Sequence, residues 1–148
     1  MTGQKTKAGA AKAGTQADPA AAEEAAILFP DRDITLTDPH THEPVTITAR
    51  EFRFLDGLKA QALGAALIED LAATAAHDGG MTPVRLSRAL GDHADTWVDL
   101  CALATGRPAT WIAALREPDA TTLTMAAWQV NTVFLSAASW ARSSAARR

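Results

Sequence analysis

Between positions 33 and 49 apolar and polar residues alternate. Ile34 and Leu36, then Val45, Ile47 and Ala49, are spaced by threonines and acidic residues, the period-two pattern of strands that bury one face. The segment between them, Asp38-Pro39-His40-Thr41-His42-Glu43-Pro44, holds two prolines that a central strand does not tolerate. The pattern therefore predicts a β-hairpin closed by a loop of several residues. Two strands alone are marginally stable, so the hairpin must lie on helices or pair with another chain.

After Ala49 the period lengthens. Thr48-Ala49-Arg50-Glu51 has the form of a capping box at a helix start; the alternative is that the second strand continues through Phe54. Phe52, Leu55, Leu58 or Lys59, Ala62, Leu63, Ala66, Leu67 and Leu71 then recur at three and four, which predicts one long helix to about Ala76, ended by His77-Asp78-Gly79-Gly80. Thr82-Pro83 opens a short helix that Gly91 stops, and Asp92 starts another with Trp97, Leu100, Cys101 and Ala104 on its apolar stripe, closed by Gly106. Pro108 opens a further short helix bearing Trp111, Ile112 and Leu115, and Pro118-Asp119 precedes the last, from about Ala120 to Ala141. The predicted fold class is α+β, predominantly α-helical: an N-terminal β-hairpin followed by about five helices. Trp97, Trp111, Leu123 and Phe134 are its expected core residues.

The last helix carries the most information. Projected at 100° per residue, Leu123, Ala126, Ala127, Val130, Val133, Phe134, Ala137 and Ala138 fall in one broad stripe, the expected core face. The opposite face holds Thr124, Asn131, Thr132, Ser136 and Ser139, yet Trp128 and Leu135 stand in its middle with Met125 at its border. Two readings follow: a central helix packed on both sides, or a protein-binding face anchored by large apolar residues. On the second reading Met125, Trp128 and Leu135 are the partner-binding residues.

Composition changes this picture mainly at the ends. The chain has 148 residues, 47% of them hydrophobic and 21% charged, ordinary for a globular protein and enough for one core. Residues 1–26 are nearly all Ala, Gly, Lys, Thr, Gln and Glu, with no large apolar side chain between Met1 and Ile27. Such a leader buries too little to offset its ordering entropy, and it is expected to be disordered with at most a transient helix near Pro19. The expected organisation is that leader, a single domain over 27–142, and a basic flexible tail over 143–148. The net charge of −3 gives no general attraction to phosphates, so no nucleic-acid partner is expected. With no apolar run at the N-terminus and none long enough to cross a bilayer, a cytoplasmic protein without membrane attachment is expected.

The search for chemistry returns little. His40-Thr41-His42 puts two imidazoles on one side of an extended segment, an arrangement used by metal-dependent hydrolases. Those enzymes draw further ligands from many strands of a large barrel, for which this chain is too short, and only His77 and His93 remain to supply them. An exposed loop is the expected state of His40 and His42, and no metal or other cofactor is expected. Cys101 lies in an apolar stripe and reads as a small buried residue. There is no Gly-x-Ser-x-Gly and no phosphate-binding glycine pattern. The segment from Met81 to Asp95 has Arg85 and Arg88 but too little positive charge for a DNA-reading helix. A non-catalytic protein is expected.

Three segments carry a family resemblance: Val45-Thr46-Ile47-Thr48-Ala49-Arg50-Glu51-Phe52 leading into Leu58-Lys59-Ala60-Gln61-Ala62-Leu63; Leu103-Ala104-Thr105-Gly106-Arg107-Pro108 with Trp111-Ile112-Ala113-Ala114-Leu115; and Met125-Ala126-Ala127-Trp128-Gln129-Val130-Asn131 with Phe134. In order and character they resemble the tail assembly chaperones of long-tailed bacteriophages, above all those of Mu-like phages and prophages. The resemblance spans roughly residues 34–135. It implies an accessory protein of the host cytoplasm, absent from the mature virion, that keeps the tape measure protein soluble while tail tube subunits polymerise around it. It also implies self-association, and in many members a longer product made by ribosomal frameshifting. The Ala-rich leader and Arg-rich end depart from the family pattern. A structural adaptor or other tail component is the alternative, distinguished by its presence in mature particles.

Overall fold

A computed structural model describes residues 19–20 and 31–146, with side chains described as far as Leu135. Pro19 and Ala20 are helical; the rest of the leader, and the junction expected at residue 27, lie outside the described residues. From Asp31 on, the described residues form one compact unit.

Two antiparallel strands, β1 (Arg32–Thr37) and β2 (Pro44–Ala49), form the hairpin, with Ile34 opposite Ile47 and Leu36 opposite Val45. This register puts every apolar side chain of both strands on one face: Leu36, Ile47 and Ala49 are buried, Ile34 and Val45 half-buried. The other face pairs hydroxyls and a carboxylate. Thr35 and Thr46 meet at 3.3 Å, and the Thr48 hydroxyl donates to Asp33 at 2.6 Å. Thr48 is therefore a strand residue and not a helix cap, because the ladder and the burial of Ala49 hold β2 one residue beyond it. The loop, one residue shorter than expected, is organised by Asp38. Its carboxylate accepts the His40 and Thr41 backbone N–H groups at 2.7 and 3.0 Å and receives Trp111 Nε1–H at 3.3 Å. These bonds, the one from the His40 N–H first, hold the Asp38 carboxyl below its ordinary pKa.

Six helices follow: α1 (Phe54–Leu63), α2 (Ala65–Ala76), α3 (Pro83–Asp92), α4 (Ala94–Thr105), α5 (Ala109–Ala113) and α6 (Glu117–Ala146). The single long helix expected after the hairpin is two. Its break is Gly64, where a Cβ would stand 2.8 Å from the Ala60 carbonyl oxygen and 3.3 Å from Leu100 Cδ1. Only glycine lets the chain approach α4 so closely at this point. The buried positions keep one phase across the break but change in size: α2 buries Leu67, Ile68 and Leu71, whereas α1 buries only Gly57 and Ala60.

Thr82 caps α3 as expected, its hydroxyl accepting the Arg85 N–H at 3.2 Å ahead of Pro83. Gly91 does not stop that helix, which runs on to Asp92. Gly106 closes α4 with φ 72°, the left-handed conformation that favours glycine at this position. Trp97, Leu100, Cys101, Trp111, Ile112 and Leu123 join Leu36, Ile47 and the α2 leucines in one core, with the hairpin lying on α4 and α6. Phe134 is partly buried against it, edge-on to Phe52 with ring centroids 5.2 Å apart.

Candidate functional site

The buried face of α6 is rotated from the one its periodicity suggests. Leu123, Ala126, Ala127 and Val130 are buried as expected, but Val133 is 77% exposed while Asn131 and Leu135 are 1% and 2% exposed. Leu135 is therefore a core residue and no surface anchor. The two remaining candidates do reach the surface: Met125 is 57% exposed, and Trp128 is half-buried over the core, its ring 6.4 Å from that of Trp97. Ala137, Ala138 and the basic tail have no described side chains.

Asn131 explains the rotation. When the chain leaves β2 at Arg50 it gives up its sheet partners, and its backbone groups must be satisfied elsewhere. Three different parts of the fold do this. The Arg50 N–H donates to the Ala104 carbonyl at 2.9 Å, the Glu51 N–H to the Asp31 carboxylate at 3.1 Å, and the Phe52 N–H to Asn131 Oδ1 at 2.8 Å. Asn131 Nδ2 donates in turn to the Arg50 carbonyl at 3.2 Å and to that of Ala127 at 3.1 Å. An amide with both a donor and an acceptor serves a peptide segment on both of its polar groups. Asn131 thus belongs inside although its polarity places it outside.

Met125 and Trp128 share a groove with α3. It lies between Leu86 and Leu90 on one wall and the first turns of α6 on the other, with Glu117 at its edge and a volume of about 480 Å³. Trp128 and the buried Leu90 give it an apolar floor, Leu86 is half-buried in its wall, and Met125 stands at the rim. The Trp97 indole N–H, which would otherwise be a lone buried donor beneath this wall, is satisfied by Thr124 Oγ1 at 3.1 Å. The groove is therefore a largely apolar slot beneath which no buried polar side-chain atom of the described residues is left unpaired. The flexible thioether of Met125 at the rim suits variable apolar partners, and the slot is large enough for side chains of an amphipathic helix. Sequence reasoning reached Met125 and Trp128 but missed Leu86 and Leu90, whose spacing on α3 marks that wall.

A second, polar depression of about 220 Å³ between α2 and α3 is occupied with its own structure. Asp70 pairs with His93 at 3.3 Å, and Arg85 donates to the carbonyls of Asp78 and Gly80 at 3.1 and 2.8 Å. His40 and His42 are exposed on the hairpin loop, His42 with φ 63°. Among the described residues no three His, Cys, Asp or Glu side chains are placed to hold a metal ion, and no helix is long and apolar enough to cross a membrane.

Cys101 is buried, and desolvation of the thiolate pushes its pKa up to about 12. In the folded protein it should react with a colorimetric disulfide reagent far more slowly than free cysteine, at least a hundredfold, and at the free rate in denaturant. Rapid labelling without denaturant would contradict its place in the core.

The profile of a family of unknown function (DUF6631) matches residues 24–148, and the chain belongs to that family. No curated protein and no solved structure matches it.

Proposed function

We propose that this family member is a non-catalytic binding protein whose α3–α6 groove takes apolar side chains from a helical segment of a partner, and that it acts as a phage tail assembly chaperone. The observation that carries the reading is the groove itself: Leu86, Leu90, Met125 and Trp128 offer apolar surface in a concave slot, and among the described residues no buried polar side-chain atom lacks a partner. Such a slot gains free energy only when apolar groups displace its water. A tape measure protein is long, helical and in need of cover before the tail tube encloses it, and it supplies such groups repeatedly. The resemblance of the three sequence segments to tail assembly chaperones joins the groove to that role, with the tape measure protein as principal partner, the tail tube protein as a further one, and the host cytoplasm as the place of action.

Co-expression with the tape measure protein encoded alongside it tests the proposal. A soluble complex should form, and Met125→Asp should weaken it by tenfold or more, about 1.4 kcal/mol, because a carboxylate at the rim would be desolvated by the incoming helix. The exposed position of Met125 leaves the fold unchanged, as thermal melting would verify. Trp128→Ala is a less clean probe than its sequence position suggests, since Trp128 packs on Trp97 and its loss also loosens the core. No complex, or one indifferent to Met125→Asp, refutes the groove. Stoichiometric presence in purified particles would replace the chaperone by a structural tail component.

A further inference from the structure

The first helix is packed inside out. In α1 the residues turned to the core are the smallest it has: Gly57 and Ala60 are buried, and the Phe134 ring lies 3.4 Å from where a Cβ on Gly57 would be. The large apolar side chains point the other way. Phe54 is 79%, Leu55 67% and Leu58 49% exposed, and with the exposed Ala62 they form one contiguous stripe, because positions i, i+1, i+4 and i+8 share a helix face.

We propose that this stripe is the contact surface of a two-fold symmetric homodimer, in which α1 packs antiparallel against α1 of a second copy. This inference does not rest on the α3–α6 groove or on its partner. It stands on two properties of the stripe.

The stripe is self-complementary. A two-fold axis through Leu58 pairs each residue with the one equally far on the other side, so the two Leu58 side chains meet, and Phe54 of each copy lies over Ala62 of the other. The bulkiest residue of the face thus falls on the smallest, as interdigitated helix packing requires. A parallel pairing would instead put Phe54 on Phe54.

The stripe is also the right size. Its exposed side chains present roughly 400 Å² of apolar surface, within the range of the largest patch on a monomer and commonly functional there. Two such faces with their flanking residues bury about 1,000 Å², the lower bound for specific association. The expected dimer is therefore a reversible one, with a Kd in the micromolar range.

Analytical ultracentrifugation of the full chain from about 1 to 200 µM tests this, and the sedimentation coefficient should rise from the monomer to the dimer value across that range. Leu58→Glu should hold the chain monomeric throughout. It should not lower the melting temperature measured at monomeric concentration, because Leu58 lies outside the core. Leu58→Cys should give a disulfide-linked dimer on mild oxidation, at least tenfold faster than Glu69→Cys on an exposed face of α2; the native Cys101 is buried and stays silent. A chain that is monomeric at 200 µM, or a dimer that survives Leu58→Glu, overturns the proposal. A dimer abolished by Met125→Asp and untouched by Leu58→Glu would place self-association in the groove, and so overturn the α1 interface separately from the proposed function.

Discussion

Asn131→Leu will lower the free energy of unfolding by about 2–4 kcal/mol and the melting midpoint by roughly 10 °C. The substitution keeps the branched four-atom outline of a side chain that is 1% exposed but removes the acceptor for the Phe52 N–H and the donor to the Arg50 carbonyl. Both backbone groups belong to the segment joining β2 to α1, and neither has a sheet or helix partner to return to. Asn131→Asp separates donor from acceptor. It retains an oxygen for the Phe52 N–H but sets a second oxygen against the carbonyls of Arg50 and Ala127, where only a protonated carboxyl makes a hydrogen bond. Burial and those carbonyls raise the folded-state pKa of the introduced group above its unfolded value of about 3.9. The variant is therefore nearest to wild type below that pH. It loses stability as pH rises from there to the folded-state pKa, beyond which the loss is constant. Urea denaturation of both variants at several pH values measures this. A cost for Asn131→Leu within about 0.5 kcal/mol would show that the linker does not depend on this amide.

Leu135→Ala should cost about 2–5 kcal/mol, the range for truncating a leucine enclosed in a core, whereas Val133→Ala, two residues earlier and 77% exposed, should change stability by no more than about 0.5 kcal/mol. The pair reads out the orientation of α6 directly. Hydrophobic periodicity puts Val133 in and Leu135 out; the structure reverses them. Chemical denaturation of the two variants decides the matter, and equal effects would contradict the rotated face.

Both results bear on how much of the molecule could be read from its sequence. The hairpin was legible, and with it the buried face of each strand, because strand burial has a period of two and a slip of one residue would have turned Leu36 and Ile47 to solvent. So were the capped start of α3 and the Gly106 end of α4, since both depend on chemistry within three or four residues. Met125 and Trp128 stood out on α6 for the same local reason, as large apolar residues off the main stripe. Their companions Leu86 and Leu90 did not, since a groove exists only once two distant helices are set side by side.

The errors share a cause. Periodicity assumes that apolar residues face inward, and that a helix runs on until a proline or glycine cluster ends it. At Gly64 a single glycine sufficed, because α4 comes within 3.3 Å of the space a side chain there would fill, and no local pattern reveals a neighbour from residue 100. At α1 the requirement was close approach, which small residues meet and leucines do not, so Gly57 and Ala60 went in and Phe54, Leu55 and Leu58 went out. At Asn131 the requirement was a partner for the backbone of residues 50–52, some 80 positions earlier in the chain. The sequence by itself determined the class of the elements, the hairpin and the buried faces of α4 and α5, because these follow from the spacing of side chains along one segment. Only the tertiary structure decided the break at Gly64 and which faces of α1 and α6 are inside, because these depend on the shape and unpaired polar groups of whatever segment the fold brings alongside.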